Sequence, residues 1–139
     1  MKWILIIFLM SIHSSFAKEV TLKITETKNK PGRILIAVFN DPKEFPDKKA
    51  FLNKIIPVTN ESSEQVVKIE LPLGNYAISA FLDENNNDVL DKNFLGIPKE
   101  RFGFSNNPSI GTGAPGFHEC EVEVHEGNPK FEIKLIKLL

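Results

Sequence analysis

The stretch QVVKIELPLGNYAISAFLD, residues 65–83, decides the fold class. In its first half Val67, Ile69 and Leu71 share one face, and Lys68 and Glu70 share the other. Successive side chains of a strand point to opposite faces, so this period of two predicts a half-buried strand. PLGN then marks a turn, with a proline to preset φ and a glycine to tolerate positive φ. YAISAFLD resumes as a second strand.

The same grammar extends in both directions. In VTLKIT, Val20, Leu22 and Ile24 stand opposite Thr21 and Lys23. RILIAVFN, residues 33–40, is apolar on both faces, which predicts a central strand covered on each side. The short turn KNKPG between these runs predicts a hairpin. DKKAFLNK, residues 47–54, has the makings of one or two helical turns. IIPVTN is a short strand whose Pro57 suits a sheet edge. CEVEVH and KFEIKLIKL are expected to form a last hairpin across EGNP, with Val122, Val124, Phe131, Ile133 and Leu135 facing in. About seven short strands at regular spacing, with almost no helix, predict an all-β, antiparallel β-sandwich.

The first residues, MKWILIIFLMSIHSSFA, read as a signal peptide: Lys2, an apolar run over residues 3–10, and small residues at Ser15 and Ala17. The run is too short to span a bilayer, which takes about 20 apolar residues. Cleavage after Ala17 leaves residues 18–139 as a single domain in the periplasm or outside the cell. Seventeen basic and 18 acidic residues give a net charge of −1, scattered without a basic stripe. That excludes a nucleic-acid binder. The one cysteine, Cys120, lies among valines of CEVEV and between Glu119 and Glu121, which predicts a buried, inert thiol rather than a reactive one.

ELPLGNYAIS resembles the turn-and-strand signature of transthyretin-like sandwich modules, a resemblance that makes Leu71 and Tyr76 core anchors. The chain after the leader also resembles domain-of-unknown-function family 2141, secreted bacterial proteins of one small sandwich domain. The matching pieces are GRILIAVFN, FP, LPLGNYAISAF, DENNNDVLDKNFLGIPKERFGFSNN and PGF. The resemblance implies a transthyretin-like or immunoglobulin-like sandwich exported from the cytoplasm. It implies no activity.

One long ordered loop, residues 83–116, interrupts the strand grammar. Loops beyond about 15 residues are usually functional or disordered. Leu90, Phe94, Leu95, Ile97, Phe102 and Phe104 argue for order, since they can pack the loop onto the sandwich. Its opening has calcium-loop spacing. Asp83, Asn85 and Asn87 stand at positions one, three and five, the Val89 carbonyl at seven and Asp91 at nine. Asp88 replaces the usual glycine at six, and Phe94 the usual bidentate glutamate at twelve; Glu100 is the nearest substitute ligand. Such a set predicts weak calcium binding, with Kd about 10⁻⁴–10⁻³ M. The competing reading is a series of turns, because Asn and Asp bond their own backbone and tolerate left-handed φ.

Lys99, Glu100, Arg101, Ser105, Asn106 and Asn107 lie among aromatics, as in a small-ligand or carbohydrate pocket, or as bonds that hold the loop backbone. His118 and His125 are seven apart, on opposite faces of a strand, and form no pair. Non-enzymatic binding therefore ranks above catalysis: a monomeric binding or envelope accessory module for a small ligand or envelope partner, with no membrane span after cleavage. The enzymatic alternative is a small glycosidase-type hydrolase using Asp83, Asp91 and Glu100, which would need two carboxyl groups facing each other across a cleft.

Overall fold

The computed structural model describes residues 16–27, 32–58, 62–127 and 129–139. Nearly all of the predicted signal segment, and residues 28–31 of the predicted first turn, lie outside the described residues. The described chain forms eight strands and one short helix. They are β1 (Ala17–Thr25), β2 (Arg33–Phe39), β3 (Leu52–Pro57), β4 (Glu64–Pro72), β5 (Gly74–Asp83), β6 (Phe102–Phe104), α1 (Phe117–Cys120), β7 (Glu121–Val124) and β8 (Lys130–Lys134).

Two sheets share one core. The three-stranded sheet runs β4-β1-β8, and the five-stranded sheet β3-β2-β5-β6 with β7 also on β5. Val20, Leu22 and Ile24 of β1 and Val67, Ile69 and Leu71 of β4 meet Ile34, Ile36, Val38, Ile78 and Leu82 of the other sheet, all buried. Period-two burial in β4 confirms the alternation read from residues 65–71. Leu71 and Tyr76 are both core residues, and the Tyr76 hydroxyl donates to the Pro72 carbonyl at 2.8 Å. Only Leu73 separates β4 from β5, so this bond ties the corner at which the chain changes sheets.

Strand β2 is central, between β3 and β5, but its outer side is covered only in part: Phe39 is buried, while Leu35 and Ala37 are half-buried. Phe39 and Ala77 pack under Phe45, Phe117 and Cys120 in a second apolar cluster. Phe45 meets Phe39, Phe104 and Phe117 edge-on, at centroid distances of 5.3, 5.8 and 6.0 Å. Pro57 ends the edge strand β3, as expected.

Six further expectations need correction. The described residues form eight strands rather than seven, and the sandwich is not wholly antiparallel, because β8 runs parallel to β1. Neither terminal hairpin forms: β1 and β2 lie in different sheets, as do β7 and β8. Alternation specifies a strand and its buried face but not its neighbour, and a turn signal looks the same for a hairpin and a sheet-to-sheet crossing. Residues 47–54 form no helix; turns lead into β3, which starts at Leu52. The loop over 83–116 contains a strand, β6, too short to show a period. Cys120 ends α1 rather than lying on a strand; it is fully buried, and burial pushes its thiol up to about 12, with Glu119 adding to the rise.

Candidate functional site

Strand β5 delivers Asp83 to the mouth of the excursion, residues 84–101, where register sets it opposite Arg33 of β2. The crossing is tight. A Cβ on Gly32, at φ +111°, would lie 2.1 Å from the Asp83 carbonyl oxygen, so only glycine fits. The Asp83 carboxylate is fully buried. One oxygen accepts the Asn87 amide at 3.2 Å; the other accepts the Asp88 amide at 2.8 Å and the Arg33 guanidinium at 3.4 Å. Arg33 also pairs with the Asp88 carboxylate. Asn86 and Asp88 take left-handed φ of +56° and +62°, which Asn and Asp adopt more readily than most residues.

Glu100 closes the other side. It is buried, and its two oxygens accept the Glu84 amide at 3.1 Å and the Asp91 amide at 3.2 Å. Burial raises its pKa above the ordinary value, those two N–H bonds lower it, and the charges on Asp91 and Asp83 raise it further. Between these poles the Asn85 side-chain amide donates to Asp91 at 2.8 Å, and the Asn87 amide donates to both Asp91 oxygens at 3.0 and 3.2 Å. The Asn87 side-chain oxygen accepts the Val89 N–H at 3.1 Å.

The structure therefore brings Asn85, Asn87 and Asp91 into contact, with Glu100 on the Asp91 backbone. Asp83 is turned toward Arg33, and Val89 is exposed. Among the described residues, no group of three or more His, Cys, Asp or Glu side chains is placed to hold a metal ion. The oxygen donors do not yet form a cage, since each named carboxylate already accepts N–H groups. Seating a cation against Asp91 would require both asparagine amides to turn their oxygens inward, and Asn87 would release Val89.

Beyond Asp91 the chain makes a small hairpin. Lys92 bridges Pro98, and the Lys99 amide donates to the Asp91 carbonyl at 2.8 Å. Asn93 holds its tip: its side-chain oxygen accepts the Leu95 and Ile97 amides at 2.9 and 3.0 Å, and its carbonyl accepts Gly96 N–H at 3.0 Å. The expectation that every apolar residue of the loop packs down fails here. Leu90 and Ile97 are half-buried and Phe102 is buried, but Phe94 and Leu95 stand in solvent. They sit at the turn that Asn93 closes.

FSNN, residues 104–107, is a clasp. β6 pairs with Ser79–Phe81 of β5, and β7 with Gly74–Ala77, which leaves Ile78 between them on the same edge. Ser105 fills that gap. Its buried hydroxyl accepts the Ile78 N–H at 2.9 Å and donates to the Cys120 carbonyl, while its own N–H donates to the Ile78 carbonyl at 2.8 Å. Asn106 donates to the Glu119 carbonyl at 3.0 Å. Asn107 donates to the Glu132 carbonyl at 2.9 Å and accepts the Lys134 N–H at 2.9 Å, so it pairs with β8 as a strand would.

A family model described as uncharacterized protein conserved in bacteria, domain-of-unknown-function family 2141, matches residues 22–132. The chain belongs to that family. No curated protein and no solved structure matched the chain. The family 2141 span includes the whole excursion and its clasp. Sequence reasoning missed two residues that organise the excursion of this family 2141 domain. Asn93 had a signal, an asparagine three residues before Gly96 at a turn. Arg33 had none, because its approach to Asp83 depends on strand register. His118 and His125 are exposed and apart: His118 lies 3.0 Å from Glu121, and His125 accepts the Gly127 N–H at 3.1 Å. The expected placement of His118 on a strand face is corrected, since it belongs to α1.

Proposed function

We propose that this domain is an exported, non-catalytic binding module of the bacterial envelope, a sandwich of transthyretin-like or immunoglobulin-like kind, and that the 84–101 excursion is its binding surface. The observation that supports this reading is how the carboxylates are engaged. Asp83 and Glu100 are buried on backbone N–H groups, and Asp91 is held by two side-chain amides. General acid–base chemistry needs a carboxyl group within reach of a substrate proton, whereas these groups brace a loop. The excursion begins and ends on neighbouring strands, with the Leu82 N–H donating to the Arg101 carbonyl at 2.8 Å. Residues 85–99 are therefore replaceable by a short Gly-rich turn without cutting the sheet. The intact chain should sediment with a bacterial envelope preparation, and the replaced chain should stay in solution while still melting cooperatively, at a temperature lowered by the lost amide partners of Asp83 and Glu100. Sedimentation that survives the replacement refutes the reading.

The contact of Asn85 and Asn87 with Asp91 supports a second function for the same loop, weak calcium binding by Asp83, Asn85, Asn87, Val89, Asp91 and Glu100. Each accepting carboxylate oxygen has two lone pairs, so Asp83 and Glu100 keep capacity for an ion beside their N–H bonds. Hard oxygen donors of this kind suit calcium. Calorimetric titration of the chelator-treated chain should give a Kd of about 10⁻⁴–10⁻³ M. Absence of heat, with no calcium-dependent rise in melting temperature, removes this function and leaves the binding module intact.

A further inference from the structure

Phe94 is 94 % exposed, the most exposed large apolar side chain among the described residues, and Leu95 beside it is 68 % exposed. Water opposes that display, yet the display is held in place. The Lys92–Pro98 bridge, the Lys99-to-Asp91 bond and the three bonds to Asn93 fix the hairpin whose tip carries both side chains. Lys92 and Lys99 stand on the two limbs, both exposed and neither in an ion pair among the described residues. They line one open depression with Glu84, Asn85, Asp91 and Glu100. The acidic groups nearby are largely engaged: Asp88 by Arg33, Asp91 by the two asparagines and Glu100 by backbone amides. Lys92 and Lys99 are the charges that the hairpin limbs themselves carry into solvent; Glu84, Asp91 and Glu100 share their depression and also hold no ion pair among the described residues, the last two being bonded to neutral amides.

We propose that the 91–99 hairpin docks on an anionic lipid surface, with Phe94 and Leu95 entering the boundary between headgroups and acyl chains and Lys92 and Lys99 pairing with lipid phosphates. Two features favour lipid over a protein partner. Two side chains at the end of a narrow, convex hairpin cover far less than the roughly 1,200 Å² of a specific protein interface. A bilayer needs no complementary pocket, since apolar groups partition into it singly and lysines add attraction to its charged face. The inference rests on the reading of the excursion as the binding surface and names what it binds.

The test is co-sedimentation of the exported chain with vesicles of phosphatidylethanolamine and phosphatidylglycerol, against vesicles of phosphatidylcholine alone. Binding to the anionic vesicles is expected, reversible and weakened by salt. Phe94→Ser should lower it at least about tenfold, and Lys92→Gln or Lys99→Gln about fivefold each. All three positions are exposed, so the melting temperature should not move and a loss of binding is not a loss of fold. Two results overturn the proposal: no sedimentation with anionic vesicles, or a Phe94→Ser chain that binds as the parent does. If anionic vesicles fail while the envelope preparation still retains the chain through residues 85–99, the lipid assignment falls and the binding surface stands. If the envelope preparation also fails, both fall.

Discussion

Between the sheets, branched aliphatic side chains such as Leu22, Ile36 and Leu82 exclude water from one another, and the backbone is paired strand to strand. In the excursion the proportions are reversed. Asp83, Asn87, Asn93 and Glu100 are bonded to backbone amides, and the most prominent apolar side chain points outward. The first region is specified by a repeating pattern of burial, so many aliphatic sequences of that pattern would satisfy it. The second is specified by individual polar atoms, each with a named partner. A region of the first kind melts with the whole molecule. A region of the second kind, with little apolar burial, opens by itself.

The contrast is broken most directly from the sandwich side. Leu22 is fully buried between the sheets, so Leu22→Ala should cost about 2–5 kcal/mol through lost transfer and the cavity left behind. Urea denaturation should show one lowered midpoint. Amide exchange should speed up in β1 and β5 together and stay unchanged in the excursion, whose amides exchange by local opening. Exchange that rises in β1 alone would mean that the sheets are not one cooperative unit.

A smaller effect comes from the seam between the two kinds of order. Ser105 is buried where β6 and β7 divide the edge of β5, and its hydroxyl serves both Ile78 and Cys120. Ser105→Ala leaves two buried backbone groups without that partner, at a cost of about 1–3 kcal/mol. The denaturation midpoint of the purified variant measures it. A cost indistinguishable from zero would show that the two half-strands are joined by the backbone alone.

The two regions also differ in how legible they were. Val67, Ile69 and Leu71 announce their face, because burial on one side of a pleated strand writes a period of two into the sequence. Nothing in VTLKIT says that its neighbour will be KFEIK running parallel, because that pairing arises only when the chain returns after more than one hundred residues. The excursion was legible as a chemical inventory and not as a geometry. Asp83, Asn85, Asn87 and Asp91 have the spacing of ion ligands, but the same oxygens serve turn amides equally well. The choice between those uses depends on Arg33 reaching Asp83 and on Glu100 folding back over Glu84 and Asp91. FSNN was read as polar groups among aromatics. Its task of closing strand edges depends on Glu119, Glu132 and Lys134 arriving beside it from later in the chain.

The smallest and most local effect should come from Glu100. Burial raises its carboxyl above the ordinary value of 4.5, so the folded chain holds that proton more tightly than the unfolded chain does. Across the window from 4.5 up to the raised folded value, the unfolded chain has released the proton and the folded chain still keeps it. Stability from this group is therefore greatest below that window, falls as pH rises through it, and is level above it. Replacing Glu100 by Gln removes the titration. The difference in stability between parent and Glu100→Gln should then change with pH inside that window and become constant above it, in denaturation series from about pH 4 to about pH 7. The neutral amide has one acceptor oxygen where the carboxylate has two, so one of the Glu84 and Asp91 amides must lose its partner, at about 1 kcal/mol. Exchange at those amides should already be faster than at Leu22 and Ile36 in the parent chain, and should quicken further in the variant. If the parent's excursion amides exchange as slowly as Leu22 and Ile36 do, the excursion is part of the cooperative sandwich, and the division between the two kinds of order does not hold.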